Sequence, residues 1–247
     1  MRNLPLNILL AVLCSASVVS AATYTGSLTY TPPSPPDTSD GLFVSGYPAQ
    51  WPSYTVTLSW TVTNTDNSQP GYPWKYTYTF GHTGSDAAIS HIIIEGSQGI
   101  SAANVVGLTG ATLSSAGLQT VLSGNPDMPE DLYGLRFNPL ATVTSMTWSF
   151  FSDRQPVWGD FYARCGNKQN LGVNLAYNYN KDGSGAELGF LDPNGSDTNR
   201  DDVDPSAPAA NGSLNFHILV PDSVVPEPGT LSLLALGAAG LWNRRRK

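Results

Sequence analysis

Charge is scarce in this chain. Only 13% of its 247 residues are Asp, Glu, Lys or Arg, which argues against a coiled coil, a helical bundle or a disordered polyampholyte. Basic residues are the scarcer sign, 12 against 19 acids, for a formal charge of -7, so there is little positive surface to hold nucleic acid. Cysteine is nearly absent: Cys14 lies in an N-terminal segment expected to be removed, and Cys165 alone cannot form an intramolecular disulfide. Neither terminal apolar run reaches the roughly 20 residues of an ordinary membrane span. Catalytic signatures are missing as well. There is no Gly-x-Ser-x-Gly, no His-Glu-x-x-His and no phosphate loop, and residues 23–224 hold only three glutamates and three histidines. Turn formers are abundant instead, with 24 Gly and 19 Pro.

Residues 1–22 read as a secretory signal peptide. Arg2 is the positive start, Leu4 to Leu13 the apolar stretch, and Ser20, Ala21 and Ala22 the small residues a signal peptidase needs. A retained membrane helix is disfavoured because the apolar core is too short to span.

At the other end, Val225-Pro226-Glu227-Pro228-Gly229 leads into the apolar run Leu231–Trp242 and the basic cluster Arg244-Arg245-Arg246-Lys247. The two prolines keep the motif extended and accessible. The run spans about 18 Å as a helix, so it reaches across a bilayer only with thinning or snorkelling. This tripartite end resembles the PEP-CTERM sorting signal of Gram-negative bacteria that make exopolysaccharide. The resemblance implies that an exosortase recognises Val225, Pro226, Glu227 and Pro228 in the inner membrane, cuts near them, and releases or transfers the ectodomain to the cell surface or beyond. It covers only the last 23 or so residues, so it implies a route and no activity. The expected organisation is a signal peptide (1–22), an ectodomain (23–224), and a sorting signal with a short transmembrane helix and basic tail (225–247). The ectodomain holds 18 acids and 7 bases, a sharper acidic balance than the whole chain shows.

Alternating polarity marks that ectodomain as all-β. In Tyr54 to Thr63, Tyr54, Val56, Leu58, Trp60 and Val62 face one way and the threonines and Ser59 the other; Trp74 to Phe80 alternates similarly. Ile92 to Ile94 suits a central strand. Leu132 to Asn138, Val143 to Phe151, Trp158 to Cys165, Leu171 to Tyr177 and Leu214 to Val220 complete the strand candidates, and Ser114 to Leu122 reads as a short helix. About nine or ten strands with turns between them predict an antiparallel β-sandwich of jelly-roll type, followed by the short C-terminal hydrophobic helix.

Three constellations invite chemistry. Along Pro156 to Cys165, the residues Val157, Phe161, Ala163 and Cys165 share a core parity. Trp158, Asp160, Tyr162 and Arg164 share the other, mixing flat rings with charge as a glycan-binding face does. The competing reading is a Trp–Tyr pair bracing a loop beside a surface ion pair. Asp197, Asn199 and Asp201 space hard oxygen ligands as calcium requires, although Asp202 and Pro208 break the EF-hand pattern; the competing reading is a solvated acidic loop. The Thr-x-Thr run from Thr55 to Thr63 suggests ice binding, but a flat threonine array is expected to need many parallel copies, and the chain has no repeat to build a solenoid.

These features predict an exported surface or exopolysaccharide (biofilm) matrix protein that meets extracellular polysaccharide. A hydrolase using two of the 15 ectodomain aspartates, or a purely structural matrix component, remains the alternative.

Overall fold

Strands of alternating apolar and hydroxylated residues dominate the computed structural model, which describes residues 21–32, 41–46, 50–122, 124–166, 173–178, 180–181, 187–190, 208 and 210–222. All of these fall in one compact unit, Ala21–Val224. In order they form β1 (Thr23–Tyr30), β2 (Leu42–Ser45), β3 (Val56–Thr63), β4 (Trp74–His82), β5 (Ile89–Glu95), β6 (Val106–Thr109), β7 (Ala111–Gln119) and β8 (Leu132–Pro139). There follow β9 (Ser145–Ser152), β10 (Pro156–Gly159), β11 (Phe161–Cys165), β12 (Leu175–Asn178), β13 (Asn180–Lys181), β14 (Glu187–Gly189) and β15 (Ile218–Pro221). The only helical pieces among the described residues are two single 3-10 turns, Trp51–Ser53 and Ala102–Asn104.

The strands pair antiparallel throughout. One sheet has five strands in the order β1-β3-β4-β9-β6, the other six in the order β2-β12-β11-β5-β8-β7, and β10-β15 and β13-β14 are two-stranded. The expected all-β sandwich is therefore what forms. The inner faces meet in a ring-rich core: Phe137 of the six-stranded sheet lies 5.7 Å from Trp148 and 5.3 Å from Phe150 of the five-stranded one, and Phe80 lies 6.2 Å from Phe161. Each such side chain stabilises the fold by about 1.5–3 kcal/mol on burial, which a chain without a disulfide needs. Some buried rings have their polar ends bonded, Tyr78 Oη donating to Leu219 O at 2.7 Å and Trp51 Nε1 to Ala87 O at 2.9 Å, whereas the indole N–H groups of Trp60 and Trp148 are buried without a partner among the described residues. Cys165 is buried and free.

Two expectations need correction. Ser114 to Leu122 is no helix; Ala111–Gln119 is strand β7, paired with β8 from Ala111↔Pro139 to Gln119↔Leu132 around a bulge between Leu113 and Ser115. Cross-strand pairing there overrides any local helical preference. The strand number is also larger, fifteen among the described residues, because short strands such as β2 and β6 lie in Gly- and Pro-rich sequence and the segment 156–165 is split in two. The segment expected to be a C-terminal helix lies outside the described residues.

Edge strand β1 is not left open. Thr25 N donates to Asn211 Oδ1 at 2.9 Å and Thr25 O accepts from Gly212 N at 2.8 Å, so a distant loop covers the middle of an edge that could recruit another strand.

Candidate functional site

Period-two alternation sends the apolar half of β1, β3, β4 and β9 inward and leaves the other half outside. On that outer half the sequence supplies Thr or Ser almost everywhere. Antiparallel register then aligns them in rows across the sheet. Thr25 faces Thr61, Thr61 faces Thr77, Thr77 faces Ser149, and Ser149 faces Thr109. The next row runs Ser27, Ser59, Thr79, Thr147, and the one after it Thr29, Thr57, Gly81, Ser145. Neighbouring side chains stand about 4.8 Å apart across strands and about 6.8 Å apart along them.

The hydroxyls bond to one another: Thr23 with Thr63 at 2.7 Å, Thr79 with Thr147 at 2.9 Å, and Thr109 with Ser149 at 2.9 Å. Two shallow clefts cross the face. One, of ≈ 410 Å³, is lined by Thr25, Ser27, Thr61 and Thr77 among others, and one of ≈ 240 Å³ by Thr55, Thr57, His82 and Ser145 among others. Charge is confined to one corner. Lys75 lies over the Phe151 ring at 5.1 Å and pairs with Asp66 at 2.9 Å, a bond that holds the Asp66 carboxyl down to about 2. The rest of the grid is neutral, and each hydroxyl can both donate and accept.

This array forms without sequence repeats, although on a twisted sheet it is not the flat array expected to need them. Four strands of unlike sequence build it through long-range register. A single Thr-x-Thr run signalled one column; the others are visible in Thr23 to Thr29 and in the alternate positions of β4 and β9, but only the pairing aligns them.

The proposed glycan face along 156–165 is not one face. The chain leaves one sheet and enters another at Asp160: Trp158 faces Leu219 in the β10–β15 pair, whereas Tyr162 faces Ile93 and Tyr177 in the six-stranded sheet. Trp158 is buried in the central core, Tyr162 in a second cluster with Ile93, Met128 and Leu175, and Asp160 is 1% exposed. Arg164 alone of the four is half-buried. Parity failed because the outer side of this sheet is covered by the segment 120–131, whose Pro126 O accepts from Tyr162 Oη at 2.7 Å. The surface ion pair of the competing reading is absent too: Asp160 Oδ1 lies 3.8 Å from His217 Nε2, and Arg164 Nη1 donates to Gly124 O.

Asp160 instead sits in a buried polar knot. Its N–H donates to Glu95 Oε2 at 2.6 Å, its O accepts from Glu95 N at 3.0 Å, and its carboxylate accepts from Asn178 Nδ2. Asn178 Oδ1 in turn accepts from Phe161 N at 2.9 Å. The knot ties together β5, β11 and β12 and the approach to β15, which is a structural role. Among the described residues no group of three or more His, Cys, Asp or Glu could hold a metal ion. Asp197, Asn199 and Asp201, and the sorting residues Val225, Pro226, Glu227 and Pro228, lie outside the described residues.

Residues 224–247 match the PEP-CTERM protein-sorting motif. No curated protein and no solved structure matches the chain. The chain thus carries a PEP-CTERM sorting motif at residues 224–247, which marks it as an export-sorting substrate of an exosortase with membrane-anchored transit.

Proposed function

We propose that this exosortase substrate is a surface or exopolysaccharide-matrix protein that holds neutral polysaccharide on the outer face of its five-stranded sheet. The single observation that carries the reading is the uncharged hydroxyl grid spanning β1, β3, β4, β9 and the tip of β6. Hydroxyls that donate and accept match the hydroxyls of a neutral sugar in either sense. The acidic balance of the domain repels polyanions, while a neutral polymer meets no such barrier.

A single such contact is weak, because each hydrogen bond to sugar replaces one to water. A long polymer laid across several rows, and several copies of the protein along one polymer, convert weak contacts into retention. That behaviour suits a matrix component better than a soluble receptor.

The hydrolase alternative gains no support from the two carboxyl residues that the described fold joins directly, because both are buried, the Glu95 carboxylate accepting from Asp160 N–H and the Asp160 carboxylate from Asn178 Nδ2. The repeating Thr spacing also bears on ice binding. Adjacent strands rotate by roughly 20–25°, so a grid this wide is not a plane, and a flexible polymer follows that twist more readily than a crystal surface. Sedimentation of the full-length chain with an insoluble neutral glucan, with and without charged substitutions on the grid, tests the proposal.

A further inference from the structure

The opposite sheet carries a feature of the other character. Core residues Ile92, Ile94, Phe137 and Ala163 alternate with an outer set in which Arg164 faces His91, and Arg136 faces Ile93. His91 is fully buried between the two arginines. A guanidinium can only donate, so Arg136 Nη2 donates to His91 Nδ1 at 3.1 Å, and the ring's other N–H donates to Asn125 Oδ1 at 2.9 Å. Arg164 is anchored on the other side through Gly124 O, and Asn125 Nδ2 through Thr120 O at 2.9 Å. Both guanidiniums are thus positioned by protein atoms that bring them no negative charge.

Neither arginine forms an ion pair among the described residues, and the Nε–H of each is buried without a hydrogen-bond partner. Of the acids of the covering segment, Asp131 accepts from Val121 N at 2.9 Å, and no ion pair joins Asp127 or Glu130 to either guanidinium. In a domain with 18 acids and 7 bases, the described residues bring no carboxylate into an ion pair with either of these two half-buried, neighbouring cations. The consequence is visible in Arg136, whose pKa is lowered by burial and then by the Arg164 charge.

We infer that Arg136 and Arg164 form a cradle for an oxyanion group, the carboxylate of an acidic sugar or a phosphate or sulfate, held jointly by the terminal N–H groups that His91 and Gly124 leave unused, Nη1 of Arg136 and Nη2 of Arg164. The inference is independent of the hydroxyl face, which lies on the other sheet.

The test uses the full-length chain in detergent, titrated at constant ionic strength with galacturonate, inorganic phosphate and sulfate and followed by calorimetry. Saturable one-to-one binding is expected with at least one of the three, and the tightest identifies the source of the group. Arg136→Gln and Arg164→Gln should each weaken it about tenfold or more. Lys75→Gln, the same charge change on the opposite sheet, should leave it intact. Near-UV circular dichroism checks each variant. Should a Gln variant unfold, Arg136→Lys and Arg164→Lys take its place: they keep the charge, lose the guanidinium that is anchored at one Nη while presenting the other, and should still weaken binding. Absence of saturable binding to all three probes, or equal loss in Lys75→Gln, overturns the inference, and so does undiminished affinity in the folded arginine variants.

Discussion

Thr79 and Thr147, 68 residues apart in the chain, join their hydroxyls at 2.9 Å on the outer face of the five-stranded sheet. They do so because β4 and β9 pair in a register that sets Tyr78 against Trp148 on the inside. The same pairing that stacks those two rings, 5.3 Å apart, places hydroxyl beside hydroxyl on the outside. Core packing and candidate binding surface are two faces of one register, so a one-residue slip would destroy both.

The core face should dominate stability. Phe137 is fully buried and touches both Trp148 and Phe150 across the sandwich. Phe137→Ala is expected to cost about 3–5 kcal/mol, a large part of a domain's usual stability. Urea unfolding should show a much lower midpoint; a shift equivalent to under about 1 kcal/mol would mean that the two sheets do not meet at this ring.

Gly110 turns the chain from β6 into β7, passing it from one sheet to the other, with φ at +78°. A Cβ there would collide with the carbonyl oxygen of Thr147. Gly71 has φ +86° but open space around it. Gly71→Ala should therefore cost only the backbone strain of about 1–2 kcal/mol. Gly110→Ala should cost distinctly more, read as a larger fall in melting temperature. Equal falls would contradict the close approach.

His91 makes stability depend on pH. Burial, then the Arg136 charge, hold its pKa down to about 3 against an ordinary 6.5. Between those values the unfolded chain binds a proton that the folded one refuses. Stability from this site is therefore fully present above pH 6.5 and falls as pH drops toward 3, by up to about 1.4 kcal/mol per pH unit. Urea unfolding at pH 7.5 and 4.5 should show a smaller difference for His91→Gln than for the wild type. Parallel losses would show that His91 is not the group responsible.

Sorting rests on different residues. Replacing Glu227 between its two prolines should leave the precursor at the inner membrane, detected by cell fractionation. Normal release would contradict a role for that carboxylate in recognition by the exosortase.

Much of the sandwich was legible from alternation alone. β3, β4 and most of β9 read cleanly because one side of each strand faces the core and the other carries mainly Thr, Ser or Lys. Alternation fails where both sides are buried, as at Tyr162, whose outer side lies under residues 120–131. It fails again where a strand ends unannounced, as at Asp160, because the Glu95 side chain that bonds its N–H is 65 residues away. The hydroxyl grid was half legible. The threonines of β3 were plain, but their alignment with Thr25, Thr77 and Ser149 depends on pairing that no local pattern encodes. Likewise, nothing in the spacing of His91, Arg136 and Arg164 announced that the sheet would make them neighbours.

Whether the neutral grid binds neutral polysaccharide comes down to one comparison. The full-length chain and its Thr61→Glu/Thr79→Glu variant are sedimented with an insoluble neutral glucan. These half-exposed positions lie in adjacent rows, so the melting temperature should change little. The wild-type chain should partition to the polymer, and the doubly charged variant should stay in solution while still folded. Equal partitioning of both, or of neither, would contradict binding by the grid.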